Sequence, residues 1–309
     1  MATSLTATVG PSVTMLVEGR YVSQAEPRGV TAALARRGVR VRTVVAEDAV
    51  ADVADPTTIL GRDAGPHPVV CPRGRSLALL ATLRALEAQG VHVIHRAATI
   101  DTVVDKVGMS ARLTEAGVPT PRTWLGHPSR LSRRPDLAYP LLLKPVRGDN
   151  SRGIAVVDDA AQLRGLQWPE QVALAQPFHR GDAHDLKVYV AGPHVWAVRR
   201  RSPIHPDGTP TGATEPGVQV PVTAAARALA ERCRAVFGLT LFGIDCVTDS
   251  SGDLLVVDVN EFPNYRGISG DVDEMLAEVV LGVLPAEVQQ AGAEPFEAEL
   301  VGLPEQVPA

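Results

Sequence analysis

Hydrophobic positions in the first third of this chain follow two alternating periods. Apolar runs at 13–17, 39–45, 68–71 and 91–95 have the length and β-branched content of strands. Between them, 28–37 and 77–89 repeat apolar residues every three to four positions, and Gly38 and Gly90 follow as helix stops. Strands alternating with helices predict a parallel α/β sheet, ending near Thr102.

Beyond that point the pattern turns to paired runs. Residues 186–190 and 195–201 flank Gly192-Pro193, and 241–247 and 254–259 flank the segment TDSSGD; both read as β-hairpins. The run YPLLLK (139–144) is an apolar strand that ends on a lysine. Helical spacing covers 105–116, stopped by Gly117 and the extended VPTP, and 224–237, with Leu229, Cys233, Val236 and Phe237 inward and Gly238 as its stop. Residues 202–217 are rich in Pro, Gly and Thr and long for a connection, so they are expected to be mobile and to cover an acceptor substrate. The acidic, proline-containing segment 286–309 is expected to be loosely attached.

Composition narrows the classes. The chain has 309 residues, enough for two or three compact units. Its net charge of −5 argues against a nucleic-acid surface. Cys71, Cys233 and Cys246 show no CxxC spacing and read as reduced core thiols, while the histidines form no HExxH-like cluster for zinc. The N-terminal residues lack a signal-peptide pattern and no apolar run reaches membrane-spanning length, so a cytoplasmic location is expected. Of 30 basic residues only Lys106, Lys144 and Lys187 are lysines. Against that arginine background, each lysine is a candidate phosphate-binding point charge.

The late hairpin carries the sharpest chemistry. If Ser251-Gly252 is a two-residue loop, Asp245 lies opposite Asp258, with Cβ atoms roughly 5 Å apart, and Asn260 shares their face. Leu254, Val256 and Ile244 are expected around them. Two carboxylates and an amide oxygen on an apolar platform call for a hard cation such as Mg2+; a protonated carboxylate pair or a shifted register is the alternative. Lys144 feeds a loop with Gly148, Ser151 and Gly153, where backbone N–H groups are able to cradle phosphate. Lys106 opens a helix, a position that opposes the macrodipole unless an anion meets it. Lys187 falls about one register step from Arg199, with Asp182 and Asp185 nearby as ion-pair alternatives. Arg73 and Arg75, at a strand end, are candidates to face a cleft or simply to cover surface.

Taken in order, Asp105-Lys106, LLLKP (141–145), the glycine loop, AQPF (175–178), DLKVYVAG (185–192), AVRRR (197–201), GID (243–245) and DVNEFP (258–263) resemble an ATP-grasp enzyme of the ribosomal-protein glutamate ligase type. FPNYRG (262–267) with DLKVYVAG is also similar to the inositol-polyphosphate kinase branch of that fold. The resemblance implies an N-terminal α/β domain at 1–102, a small lobe at 103–175, a large lobe with the metal hairpin at 176–285 and a tail at 286–309. It implies ATP and Mg2+: Lys106 and Lys144 on the phosphates, Gln176 and Phe178 at the adenine edge, Asp185 or Asp182 near the ribose, and Asp245, Asp258 and Asn260 on the metal. Arg199 and Arg201, on one strand face, are expected with Lys187 to hold an acyl phosphate or substrate carboxylate, with Arg200 turned away. The expected partners are small-molecule or peptide carboxylates and amines, without nucleic acid or membrane; the oligomeric state is open, a homo-oligomer included. The expected activity is an ADP-forming carboxylate-amine ligase acting through an acyl phosphate. A small-molecule kinase and a non-catalytic nucleotide-binding protein remain the alternatives. The chain departs from the family pattern in having Asp258 where a glutamate is frequent, and Pro177 where an acidic residue is familiar.

Overall fold

The expected alternation opens the chain: β1 (Ser12–Val17), α1 (Ala25–Arg36), β2 (Arg40–Val45), β3 (Val69–Arg73), α2 (Leu77–Ala88) and β4 (His92–Val93). The structure, a computed structural model, describes residues 12–284 apart from 62–63, 65–67, 149–150, 182 and 212–215, and also 299–301. β1 is central and pairs in parallel with β2 on one side and β3 on the other. Its sequence SVTMLV is buried at every position, as a strand covered on both faces should be.

The chain forms two compact units, residues 1–100 with 270–309, and residues 101–269. This corrects the sequence-based division. The helix Val272–Gly282 belongs to the first unit, not to the large lobe. There Arg36 donates to Glu274 Oε1 at 2.6 Å and Arg37 to Oε2 at 2.9 Å. Glu299–Val301, inside the segment expected to be loose, extends the first sheet as a parallel strand on β2. Arg73 is buried in this unit rather than covering its surface, with its guanidinium 4.1 Å from the Tyr21 ring centre.

In the second unit, after α3 (Ala97–Val104), which spans the division, comes α4 (Lys106–Glu115). A four-stranded antiparallel sheet follows, built from β5 (Trp124–Gly126), β6 (Leu141–Lys144), β7 (Ala155–Val157) and β8 (Ala173–Pro177) in the order β5-β8-β6-β7, with the short helices α5 (Pro128–Leu131) and α6 (Ala160–Gly165). Its core is Leu131, Leu141, Leu143 and Leu163. The small lobe therefore runs through Pro177, two residues past its expected end.

A second antiparallel sheet has the order β11-β10-β9-β12-β13, from β9 (His184–Ala191), β10 (His194–Arg201), β11 (Val218–Val220), β12 (Leu241–Thr248) and β13 (Leu254–Glu261). Helix α7 (Ala224–Phe237) covers one face, started by the Thr223 hydroxyl accepting from Ala226 N and ended by Gly238 at φ 65°. Leu229, Cys233 and Phe237 pack there with Ile244, Val256 and Val259. Met109 and Leu113 join the same core, so α4, expected in the small lobe, packs with the larger sheet. The late helix and strand of the first unit are α8 and β14. All three cysteines are buried and unpaired as expected. No helix among the described residues is long and apolar enough to cross a membrane.

Candidate active site

The open face of the larger sheet assembles charge in rows across its strands. Lys187 on β9 lies directly opposite Asp245 on β12, and Asp245 directly opposite Asp258 on β13. The facing carboxylates expected from sequence are therefore present, but by a different route. The hairpin pairs Thr248 with Leu254, not across a two-residue turn. Asp249 closes the loop through its Oδ1, which accepts from Ser251 N at 2.8 Å and Asp253 N at 3.0 Å. A bulge after the Asp245–Asp258 pair absorbs the one-residue difference. The same bulge lets Val256 and Val259 both face the core. Ile244, Val256 and Leu254 consequently lie beneath the sheet with α7, not around the carboxylates, whose surroundings are polar.

Each carboxylate already has a cation. Lys187 Nζ is 2.7 Å and Arg200 Nη2 3.0 Å from Asp245 Oδ1, and Lys106 Nζ donates to Asp258 Oδ1 at 2.9 Å. Burial pushes the Asp245 carboxyl up, but Lys187, Arg200 and Lys106 outweigh it and hold the group below the ordinary carboxylate range. Asn260, opposite Gly243, donates a long hydrogen bond of 3.4 Å to Asp245 Oδ2. At Gly243 a Cβ would stand 3.0 Å from Lys187 Cε and crowd the lysine. The lysine runs across that gap to reach Asp245.

Lys106 reaches the carboxylates from the start of α4. Asp105 caps the helix, accepting from Val107 N at 3.0 Å and Gly108 N at 3.1 Å, and Lys106 N donates to Val146 O at 3.0 Å. That bond ties the helix start to the chain just after Lys144. Lys144 is 7% exposed, and its Nζ points to Val257 O at 3.5 Å. Burial, aided by the Lys106 charge, lowers its pKa from 10.5 to about 8 against the pull of Asp258, Asp245 and Asp185. Burial and the nearby Asp245 charge raise Asp185 to about 6, with Arg200 and a Ser202 hydrogen bond opposing.

These groups line one cavity of about 420 Å3 in the second unit, walled by Lys106, Lys144, Gly148, Ser151, Gln176, Phe178, Asp185, Asp245 and Asp258 among others. A Cβ on Gly148 would come within 2.7 Å of Pro145 Cγ, so the tight loop after Lys144 needs glycine there. Gly153, at φ 71°, shapes the turn without lining the cavity, and Asp182 lies outside the described residues. Lys187 and Asn260 stand behind the wall, acting on it through Asp245.

The arginine choice is corrected. Arg199 and Arg201 are exposed on the far face, where Arg199 meets His184 Nδ1 at 3.0 Å. Arg200 is the cavity residue, because β10 pairs with β9 so that Arg200 faces Asp185 and Val198 faces Lys187. Counting across Gly192-Pro193 from Ala191↔His194 would have identified it. The Pro-rich segment expected to cover an acceptor substrate does reach the cavity. Ser202, Pro203, Ile204 and Pro206 line the cavity, and the described part of this segment is a hydrogen-bonded turn, with His205 N on Thr209 O at 2.8 Å.

The family model for the Inositol 1,3,4-trisphosphate 5/6-kinase ATP-grasp domain matches residues 209–281. A curated "Probable alpha-L-glutamate ligase" of Azotobacter vinelandii is 26% identical over 223 residues, covering 66% of this chain and 70% of the relative. A "Probable alpha-L-glutamate ligase 2" of Hahella chejuensis is 27% identical over 229 residues, covering 67% and 71%. Among solved structures, a RimK domain protein ATP-grasp from Sphaerobacter thermophilus superposes with TM-score 0.66 at 24% identity, covering 87% of this chain and 98% of that one. The ATP-grasp ligase PsnB complexed with minimal precursor superposes with TM-score 0.65 at 18% identity, covering 89% and 99%.

Fold, cavity and relatives point to one class: the chain has the ATP-grasp fold and is similar to ATP-grasp ligases. Its curated relatives are named as alpha-L-glutamate ligases, while residues 209–281 match the kinase-type family model.

Proposed function

We propose that the protein is an ATP-dependent carboxylate-amine ligase that forms an amide through an acyl phosphate and releases ADP and phosphate. One observation carries the reading: a single cavity wall alternates Lys106, Lys144 and Arg200 with Asp185, Asp245 and Asp258. Such a wall gathers anions that would otherwise repel one another. The curated relatives named as glutamate ligases support amide formation and an amino-acid or peptide acceptor.

In the first step a substrate carboxylate oxygen attacks the γ-phosphorus, and the bond to the ADP oxygen breaks. An amine nitrogen then attacks the acyl carbon, loses a proton and expels phosphate. Lys106 and Lys144 bind the phosphates, and Arg200 steadies the acyl phosphate with its planar donors. Lys187 holds Asp245 in place from behind. The oxygen donors of Asp245 and Asp258, both on the cavity wall, fit a hard divalent cation and would hold Mg2+, while Asn260, expected as a third ligand, supports Asp245 from behind. Bound Mg2+ supplies charge neutralisation at phosphate oxygens.

The kinase-type match over residues 209–281 favours a second reading, transfer of phosphate to a hydroxyl. One experiment separates the two: candidate acids labelled with 18O in the carboxylate are incubated with amines and Mg-ATP. Label in the released phosphate supports the ligase. A stable phosphorylated product without label transfer overturns it in favour of the kinase.

A further inference from the structure

The cavity grades from charged to apolar along two paired strands. Leu142 lies two residues before Lys144, on the same face of β6, and directly opposite Gln176 on β8; Phe178, two residues beyond Gln176, continues the pairing by donating its N–H to Pro140 O at 2.8 Å. Same-face neighbours are about 7 Å apart, the scale separating a phosphate from a base. Leu142, Gln176 and Phe178 therefore line one side of the cavity as an apolar strip that carries a single amide, and Ile154 and Val257 are further apolar residues of the lining.

We propose that Thr123 is a positioning residue that, through Gln176, makes this strip select a base bearing an exocyclic amine over its 6-oxo counterpart. The proposal rests on the nucleotide reading of the cavity. Thr123 Oγ1 lies 3.0 Å from the Pro121 carbonyl oxygen, which has no proton to give, so the hydroxyl proton is committed there. The same Oγ1 is 2.9 Å from the Gln176 amide. With its one proton spent, Thr123 accepts, and Gln176 must turn its NH2 toward it. The carbonyl end of the amide is thereby fixed the other way. Gln176 is 2% exposed, and its Oε1 has no hydrogen-bond partner among the described residues. A buried acceptor left in that state favours a ligand that brings a donor. The 6-amino group of adenine is such a donor. The 6-oxo group of hypoxanthine would set acceptor against acceptor. A lone Gln could serve either base by rotating its amide; the Pro121–Thr123 relay removes that freedom.

The test is calorimetric binding of Mg-ATP and Mg-ITP to the full chain, which differ at the 6-position and N1 only. The wild type should prefer ATP by about ten- to a hundredfold. Thr123→Val keeps the shape but frees the amide, and the preference should fall to within about threefold. Thr123→Ser restores the relay and should restore the preference, which a merely structural role for the threonine would not predict. Gln176→Leu should lose it by a separate route. Circular dichroism checks folding, and Thr123→Ala carries the same test if the valine variant does not fold. An unchanged ATP-to-ITP ratio in Thr123→Val, in Thr123→Ala or in Gln176→Leu overturns the proposal, as does an indifferent wild type. A wild type that binds neither nucleotide removes the nucleotide reading itself, a distinct result.

Discussion

Replacing Lys144 by methionine should make the protein more stable and unable to bind nucleotide. Burial and the neighbouring Lys106 charge lower the lysine from 10.5 to about 8. At about 1.4 kcal/mol per pH unit, keeping it charged in the folded state costs about 3 kcal/mol. Below pH 8 the group is protonated in both folded and unfolded chains, and the whole cost is present. As pH rises through 8, the folded protein sheds the proton while the unfolded chain keeps it to 10.5, and the cost shrinks. It should be about 3 kcal/mol at pH 7 and about 1.4 kcal/mol at pH 9.5. Methionine matches the buried stem and gives up only a 3.5 Å contact with Val257 O. Urea unfolding of wild type and Lys144→Met at the two pH values measures the gap directly, since other titrating groups are common to both. A variant no more stable at pH 7, or a gap that does not narrow with pH, refutes the reasoning.

Further outcomes follow from the same geometry. Asp258→Ala should retain the wild-type circular dichroism spectrum while losing Mg-dependent ADP release; full activity would remove its ligand role. Arg200→Ala should lower kcat/KM by at least about a hundredfold, whereas Arg199→Ala and Arg201→Ala should stay within about threefold; the reverse ranking in steady-state assays would move the substrate contact to the far face of β10. Thr223→Ala deletes the cap of α7 and should cost about 1 kcal/mol in thermal or urea unfolding, with turnover unchanged.

Much of this was legible because it rests on local periodicity. The parallel α/β start, both hairpins and α7 each repeat a single pattern over at least five residues, and the structure places them close to where that pattern puts them. Asp245 opposite Asp258 was legible through two errors that cancel, a shorter loop and an unseen bulge. What stayed hidden depends on distant partners. The face of β10 that meets the cavity is the exception: the local turn at Gly192-Pro193 sets Arg200 opposite Asp185, although the run RRR by itself singles out none of its three residues. The three-residue strands β5 and β7 are too short to show a period. The attachment of α8 to α1 is fixed by Glu274 meeting Arg36 and Arg37, more than 200 positions apart, which no window along the chain registers.

That attachment has a bearing on biogenesis. Because the first unit closes only with residues from 270 onward, a ribosome delivers every residue of 101–269 between the two pieces of that unit. A fragment cut at residue 100 would leave bare the side of α1 that α8 covers, and expression of that half alone should yield aggregates where the intact polypeptide does not.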